Sequence, residues 1–419
     1  MDLVKNLFKG DKVIWIIFLF LCLISIVEVF SAASTLTYKT GDHWGPITQH
    51  CVIMMVGVFV VIIVHRIPCR WFGKLPMVLL PISAILLILV SILGAMTNGA
   101  ARWMSLFGIQ FQPSEIAKMA VVIGTAMILS NTQGENGAGR KAFKYIVSIT
   151  GGICLLIAPE NLSTAMLLFG VVVLMMFIGR VPFIQLSKMF GVLVLGGMLI
   201  VVILMVIPSD KLNNIPKLHR LTTWQSRIKG FAENKDAVPA AKFNIDKDAQ
   251  IAHANIAIAT SNVIGKMPGN SVQRDFLSQA FSDFIFAIII EEMGLIGGAF
   301  VVFLYIILLI RVGKIASKSK DKYFPIFLIT GIALLLVCQA ILNMMVAVGL
   351  FPVTGQPLPL ISKGGTSTLI NCAYIGMILS VSRYITKQEE LQAKKESGLP
   401  VNTNEPVDMQ EVLAEESMA

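Results

Sequence analysis

Three carboxylates in one stretch of this sequence are the residues best suited to chemistry. Asp283 begins an apolar run, and Glu291 and Glu292 lie inside it. In a helix, which rises about 1.5 Å per residue, the glutamates would lie roughly 12–14 Å below Asp283. Carboxylates inside apolar helices mark a site of reaction or transport, unless they pair with buried basic groups. Because Asp283 stands beside a long polar loop, we expect it to be functional, whereas for both glutamates the two explanations stay open.

A second set of candidates lies in the turn-rich segment 98–118. In the helix predicted to follow this turn, Glu115 and Lys118 are three residues apart and would share one face. Arg102 is a candidate ligand for an anion. Trp103 beside it is either a substrate contact or an anchor at a membrane interface.

A third set lies in GLFPVTGQPLPLISKGGTS, residues 349–367. Its prolines and glycines predict irregular backbone, which at membrane depth must line a cavity or be buried in protein. Lys363 precedes a helix start, where free N–H groups suit an anion such as a pyrophosphate. The candidate substrate-binding residues are Arg102, Trp103, Glu115, Lys118, Arg274, Lys363, Gly364, Gly365, Thr366 and Ser367.

The loop 208–283 is long, and loops of this length are usually functional or disordered. Residues 211–230 predict an amphipathic helix on the membrane surface, and residues 231–248 predict a flexible segment. Gly265 would let the backbone approach a ligand closely. Arg274 either meets a phosphate or is a solvated loop charge.

The composition predicts the elements that must position these residues. The chain has 419 residues, of which 55% are hydrophobic and only 14% charged, so we expect an all-α polytopic membrane protein. Its six cysteines have no paired spacing and indicate neither a disulfide framework nor a metal site. Apolar periodicity predicts ten transmembrane helices, at about 13–33, 47–65, 76–96, 113–130, 143–158, 162–179, 187–207, 284–310, 324–349 and 364–385.

The basic residues predict the orientation of these spans. Lysines and arginines concentrate in alternate short connections, which the positive-inside rule assigns to the cytoplasm. Both termini are then cytoplasmic, and all the candidate polar clusters face outward. The predicted organisation is a cytoplasmic tail at 1–12, a membrane domain at 13–385 with the extracytoplasmic loop 208–283 between helices 7 and 8, and a disordered tail at 386–419.

Three stretches together resemble the SEDS family (shape, elongation, division and sporulation). They are ARWMSLFGIQFQPSEIAK at 101–118, SDFIFAIIIEEMG at 282–294 and GLFPVTGQPLPLISKGGTS at 349–367. The resemblance covers all ten predicted spans. Phe281, Ser282 and Lys363 depart from the residues usual in the family, and these departures leave the match of Asp283 to the family's essential aspartate intact.

The resemblance implies a peptidoglycan glycosyltransferase that polymerises lipid II into β-1,4 glycan strands. Asp283 would act as a general base or would hold a divalent cation, Mg²⁺ or Mn²⁺. The implied partners are lipid II, a class B penicillin-binding protein, other division proteins and the membrane, with no nucleic acid. The implied location is the bacterial inner membrane at the division septum, with the active site facing the periplasm.

Three alternatives stay open at this point. The protein could be an elongation polymerase of the same family, although the sequence resembles the division branch more. It could be a lipid II flippase, for which Glu291 and Glu292 are the main evidence. It could also be a scaffold that recruits partners through its tails.

Overall fold

The computed structural model describes residues 9–40, 45–93, 95–97, 100–106, 109–135, 137–206, 225, 245–277, 280–319 and 323–397. Twelve α-helices lie in these ranges. They are α1 (Lys12–Thr40), α2 (Gly45–Val64), α3 (Cys69–Phe72), α4 (Leu75–Leu93), α5 (Pro113–Thr132), α6 (Arg140–Ile157), α7 (Leu162–Ile178), α8 (Phe183–Val206), α9 (Ile245–Ala259), α10 (Ile285–Ala316), α11 (Tyr323–Ala347) and α12 (Thr366–Glu396).

A helix occupies each of the ten segments predicted to span the membrane. Within the described ranges, seven spans are long and apolar enough to cross a bilayer, and α7 and the first part of α8 are shorter apolar helices. Helix α6 begins with three basic residues in its first five positions. The helical, membrane-spanning character of the fold is therefore confirmed, whereas the number of crossings and their orientation stay predictions.

Short strands interrupt the predicted all-α pattern. Strands β1 (Ala95–Thr97), β2 (Ala100–Leu106) and β3 (Ile109–Phe111) form an antiparallel sheet between α4 and α5, and β4 (Gln133–Gly134) pairs with β5 (Gly137–Ala138). Trp103 lies opposite Ala95, and Met104 lies opposite Phe111. The turn-rich segment before α5 is thus an ordered sheet that connects two helices at one end of the bundle.

Helix α11 is the centre of the bundle. It packs against α10 on one side and against α5 and α7 on the other. Helix α2 packs against α12, and α1 packs against α10. Most of α11 is buried, including two polar side chains, Gln339 and Asn343, which are four residues apart and so share one helix face.

Helix α10 is broken at Gly294, where the prediction was one continuous span. Gly294 has φ +72° and ψ −176°, which is not helical. The loop after α9 enters the break, because the N–H groups of Lys266 and Met267 donate to the carbonyls of Glu291 and Glu292 at 2.9 and 2.8 Å. The carbonyl groups freed at the break are therefore satisfied by a loop that is distant in sequence.

The predictions for the C-terminal tail and for the loop 208–283 have different outcomes. Helix α12 continues to Glu396, ten residues beyond the predicted start of the disordered tail at residue 386. Its polar extension is tied to the bundle by an ion pair of 3.0 Å between Lys318 and Glu389. The amphipathic helix predicted at 211–230 and the flexible segment at 231–248 lie almost entirely outside the described residues.

Candidate functional site

Asp283 lies in a turn that leads into the N-terminus of α10. Its side chain is half-buried, and the Ser282 hydroxyl donates to its Oδ1 at 3.1 Å. The positive end of the helix dipole at Ile285 stabilises a negative charge at this position. Asp283 is thus an ionisable carboxylate at one end of the bundle rather than deep within it.

Other segments hold the backbone of this turn. The Asn343 side chain on α11 donates to the Asp283 carbonyl at 3.0 Å. The Ser362 hydroxyl donates to the Ser282 carbonyl at 2.7 Å, and the Lys363 N–H donates to the Phe281 carbonyl at 3.0 Å. A helix and the irregular segment 349–365 therefore fix the direction in which the Asp283 side chain leaves the chain.

Lys363 is brought to the same turn as Asp283. Its Nζ lies 5.7 Å from the centre of the Phe281 ring, which places the ammonium over an aromatic face. Burial lowers the pKa of this ammonium from its usual value. The site therefore combines a carboxylate with a partly desolvated cation, and such a cation interacts strongly with an anionic ligand.

The glycine turn, Gly364–Gly365, follows Lys363 and leads into a helix as predicted, but its carbonyls accept hydrogen bonds from the first residues of that helix. Gly365 has φ +55°, and the N–H groups of Ser367 and Thr368 donate to the carbonyls of Gly364 and Gly365. The Ser367 hydroxyl also donates to the Gly364 carbonyl, at 2.9 Å. Ser367 is therefore a structural residue of the turn here.

The sheet β1–β3 contacts the glycine turn. The Thr366 hydroxyl donates to the Gln110 carbonyl of β3 at 3.3 Å. Trp103 is half-buried in β2. The Arg102 side chain lies outside the described residues, so its predicted role stays a prediction.

Glu115 and Lys118 form a buried ion pair in α5, and their predicted contact with substrate stays a prediction. Lys118 has 0% of its surface exposed, and its Nζ pairs with Glu115 at 2.8 Å. It also donates to Gln339 at 2.9 Å, and Gln339 donates to the Pro357 carbonyl at 3.1 Å. The pair supports the segment 349–365 through α11, because a buried charge must be satisfied by such partners.

Asn343 and Gln356 were missed from the sequence. The Asn343 amide donates to the Gln356 carbonyl at 2.8 Å as well as to Asp283, and the Gln356 amide donates to the Thr164 hydroxyl at 2.6 Å. The available signal was the pair Gln339 and Asn343, four residues apart in an apolar helix, where unpaired polar side chains are costly.

Arg274 and the two glutamates belong to a separate cluster at the break in α10. Arg274 donates to the Ser31 hydroxyl at 2.8 Å, and its guanidinium lies 3.7 Å from Glu292. Glu291 pairs with Lys266 at 2.7 Å and accepts from the N–H groups of Val272 and Gln273. The structural explanation of both glutamates is thus supported. Arg274 is bonded within this cluster, and its predicted contact with substrate stays a prediction.

Gly265 lies in the same cluster and does not face a ligand. A Cβ on Gly265 would lie 2.3 Å from the Gly294 nitrogen, so its lack of a side chain permits backbone-to-backbone contact with α10. The close approach predicted for this glycine is present, but the partner is another segment of the chain.

A divalent cation at the site would have one protein carboxylate. Within the described part of the chain, no group of three or more His, Cys, Asp or Glu side chains is placed to hold a metal ion. Mg²⁺ is commonly held by one or two carboxylates together with phosphate oxygens of the substrate and water. Asp283 fits that role only if a ligand supplies the remaining oxygens.

Comparisons with known proteins show the family to which the chain belongs. The family model for cell cycle proteins of the FtsW, RodA and SpoVE type matches residues 11–387. A protein of Halomonas elongata called "Probable peptidoglycan glycosyltransferase FtsW" is 30% identical over 370 residues, which cover 86% of this chain and 87% of that protein. A protein of Trichlorobacter lovleyi with the same name is 31% identical, over 90% of this chain and 94% of its own.

Solved structures support the fold. A chain from "Structural coordination of polymerization and crosslinking by a peptidoglycan synthase complex" aligns with a TM-score of 0.70 and 23% identity, over 90% of this chain and 99% of its own. The rod shape determining protein RodA of Thermus thermophilus aligns with a TM-score of 0.61 and 20% identity, over 90% of this chain and 98% of its own.

Proposed function

The chain belongs to the family of cell cycle proteins that includes FtsW, RodA and SpoVE, and we propose that it is a peptidoglycan glycosyltransferase of the cytoplasmic membrane. The proposed reaction is polymerisation of lipid II into β-1,4 glycan strands. The curated relatives described above are named as probable peptidoglycan glycosyltransferases. The proposed site is the turn of Asp283 together with Lys363 and the segment that carries it.

One observation carries the proposal: the half-buried Asp283 carboxylate stands on a backbone that Asn343, Ser362 and Lys363 hold through hydrogen bonds of 2.7–3.0 Å. A general base must stay within hydrogen-bond reach of the proton it removes, so its support must be rigid. Lys363 adds a cation at the same turn.

In the proposed mechanism, Asp283 accepts the proton of the acceptor sugar hydroxyl as its oxygen attacks the anomeric carbon of the donor. The new C–O bond forms while the bond to the pyrophosphate breaks, and the electron pair leaves with the lipid pyrophosphate. Attack from the opposite face converts an α-linked donor into a β-linked product. Lys363 stabilises the negative charge on the leaving pyrophosphate.

A divalent cation, Mg²⁺ or Mn²⁺, would when bound also stabilise the negative charge on the leaving pyrophosphate. In this alternative role Asp283 would hold the cation instead of acting as the base, and the cation would supply positive charge to the leaving pyrophosphate. Proton acceptance and cation binding both require the Asp283 carboxylate to be ionised.

The proposed orientation places this site on the periplasmic side of the inner membrane. The basic residues of the short connections support cytoplasmic termini, and Asp283 then lies at the opposite end of the bundle. A class B penicillin-binding protein is the proposed partner that crosslinks the strands, and the description of the matching family as cell cycle proteins supports a proposed role at the division septum.

Transport of lipid II is the second candidate function, because α10 is broken beside two buried glutamates. Transporters often place broken helices and intramembrane carboxylates at their binding sites. Here, however, the loop 262–267 fills the break, and Lys266 and Arg274 face the glutamates. The carbonyls of Glu291 and Glu292 and the N–H groups of Leu295 and Ile296 are therefore bonded to this loop rather than open to a substrate.

One experiment separates these functions. Purified protein in vesicles is given labelled lipid II, with and without its class B penicillin-binding protein, and both glycan products and movement of lipid II across the bilayer are measured. We expect glycan polymer and no protein-dependent movement. Movement of lipid II without polymer, under every partner condition, would replace the polymerase with the carrier.

A further inference from the structure

Helix α1 carries a buried polar stripe that the proposed mechanism does not use. Ser25, Glu28 and Ser31 follow one another at three-residue intervals, so they lie along one face of the helix. They are 0%, 0% and 3% exposed. Three polar side chains in the interior of an apolar bundle require partners, since each unsatisfied group is costly.

The two ends of the stripe contact the two segments that surround the candidate site. The Ser25 hydroxyl donates to the Ile361 carbonyl at 2.7 Å and lies 2.9 Å from Nε2 of His50. The Ser31 hydroxyl donates to Oε1 of Glu292, beside the break in α10. Helix α1 therefore joins the segment that bears Lys363 to the broken part of α10, the helix that follows the turn of Asp283.

Glu28, between these serines, is the one member of the stripe that lacks a donor. Neither of its carboxylate oxygens has a hydrogen-bond partner among the described residues, and the same holds for Oε2 of Glu292. The two carboxyl groups lie close enough to repel each other when both are charged. A carboxylate accepts hydrogen bonds only, whereas a protonated carboxyl group also donates one.

The surrounding charges do not compensate a third carboxylate. Lys266 is engaged with Glu291 at 2.7 Å, and Arg274 lies 3.7 Å from Glu292 and 3.8 Å from Asp275. Among the described residues, the two cations thus pair with Glu291 and Glu292, and neither forms an ion pair with Glu28. Among the described residues, the charged or titratable groups in the contacts named above are His50 on α2, Glu291 and Glu292 on α10, and Lys266, Arg274 and Asp275 in the loop after α9. Lys363 lies near His50.

We propose that Glu28 is a neutral carboxylic acid whose O–H donates to Oε2 of Glu292, and that this bond makes Glu28 a positioning residue for the site. One proton then satisfies the unpartnered oxygen of Glu292 and removes the repulsion between two buried carboxylates. Glu28 touches no reacting group in the proposed mechanism. It acts by holding α1 against the broken part of α10, which also keeps the contact between Ser25 and Ile361 in place.

The test compares three replacements of Glu28, and its activity readout rests on the proposed function. Gln has the size of Glu and a permanent N–H donor, Asp is shorter by one methylene, and Leu has no polar group. We expect Glu28→Gln to polymerise lipid II within about twofold of wild type, and Glu28→Leu to lose roughly tenfold, the effect of one hydrogen bond to a charged group. Val27→Leu, a neighbouring exposed position, is the matched control.

Two outcomes would overturn the proposal. If Glu28 acts as an ion, Glu28→Asp will be more active than Glu28→Gln. If it only fills space, Glu28→Leu will equal Glu28→Gln in both activity and thermal stability.

An infrared measurement tests the protonation of Glu28 independently of polymerase activity. The difference spectrum of wild type minus Glu28→Gln should contain the C=O stretching band of a protonated carboxyl group. A spectrum with only the bands of an ionised carboxylate would contradict the neutral acid. Should wild type form no polymer at all, the proposed function fails, while this band still decides the protonation of Glu28.

Discussion

Lys363 differs from an exposed lysine because burial lowers the pKa of its ammonium. As the pH rises, Lys363 loses its charge at a lower pH than an exposed lysine does, and the pyrophosphate then loses its cation. A guanidinium stays charged over the same range. We therefore predict that Lys363→Arg polymerises lipid II to a higher pH than wild type, and that Lys363→Met loses roughly tenfold or more at neutral pH. The measurement is the pH dependence of the polymerisation rate.

One result would contradict the prediction for Lys363. If the alkaline limits of wild type and Lys363→Arg coincide, titration of Lys363 does not limit the reaction. Lys314, an exposed basic residue of α10, is a matched control, since Lys314→Arg should leave the pH profile unchanged.

Asn343 supports the catalytic turn without being part of it. Its amide donates to the carbonyls of Asp283 and Gln356 at 3.0 and 2.8 Å. Asn343→Asp keeps the size but removes the donors, and leaving two buried carbonyls unsatisfied costs about 1–3 kcal/mol each. We predict a fall of roughly tenfold or more in kcat and a lower melting temperature. Ile341→Leu, at an exposed position of the same helix, should change neither.

At the scale of elements, the break in α10 depends on glycine at position 294. Its φ of +72° is strained for any other residue, and a Cβ there would lie 2.2 Å from the Val263 carbonyl oxygen. We predict that Gly294→Ala lowers the melting temperature strongly and abolishes polymerisation, since the loop 262–267 would be expelled. Circular dichroism during heating and the lipid II assay measure the two effects.

Gly313 is the matched control in the same helix. No atom lies within 4 Å of a Cβ built there, and alanine replaces glycine in a helix with a gain of about 0.5–1 kcal/mol. Gly313→Ala should therefore be neutral or stabilising. Equal melting temperatures for Gly294→Ala and wild type would mean that the break is not needed for stability.

Apolar runs were sufficient to predict where the helices lie, because a bilayer requires about 20 apolar residues per helix. They did not predict the break at Gly294, since a glycine in an apolar run is compatible with continuous helix and only the docking of Gly265 explains it. The strands at 95–111 were missed because the prediction interpreted turn residues there as an irregular loop.

The candidate site could be predicted in part. Asp283 and Lys363 were identified from residue type and position, and the structure brings both to one turn. The partners of Lys118 and Arg274 in the structure could not be predicted, because sequence gives charge but not direction. Their partners, Gln339 and Ser31, are more than 200 residues away along the chain, so only the tertiary fold decides where they point.

At the scale of the whole molecule, orientation in the membrane decides which compartment the site faces. The distribution of basic residues predicts cytoplasmic termini and a periplasmic loop 208–283. We predict that alkaline phosphatase is active when inserted within 231–248 and inactive when fused after residue 419. Fusions of a fluorescent protein should give the reverse pattern, and activity of phosphatase at the C-terminus would contradict the proposed orientation.

The central claim is that the Asp283 carboxylate carries out the chemistry of glycan polymerisation. The most direct measurement is polymerisation of labelled lipid II by wild type, Asp283→Asn and Glu135→Gln, each with the class B penicillin-binding protein. Glu135 is an exposed carboxylate in the connection between α5 and α6, so its replacement is the matched control. We predict polymer from wild type and Glu135→Gln, and none from an Asp283→Asn protein with an unchanged melting temperature. Equal polymer from Asp283→Asn and wild type would contradict the claim.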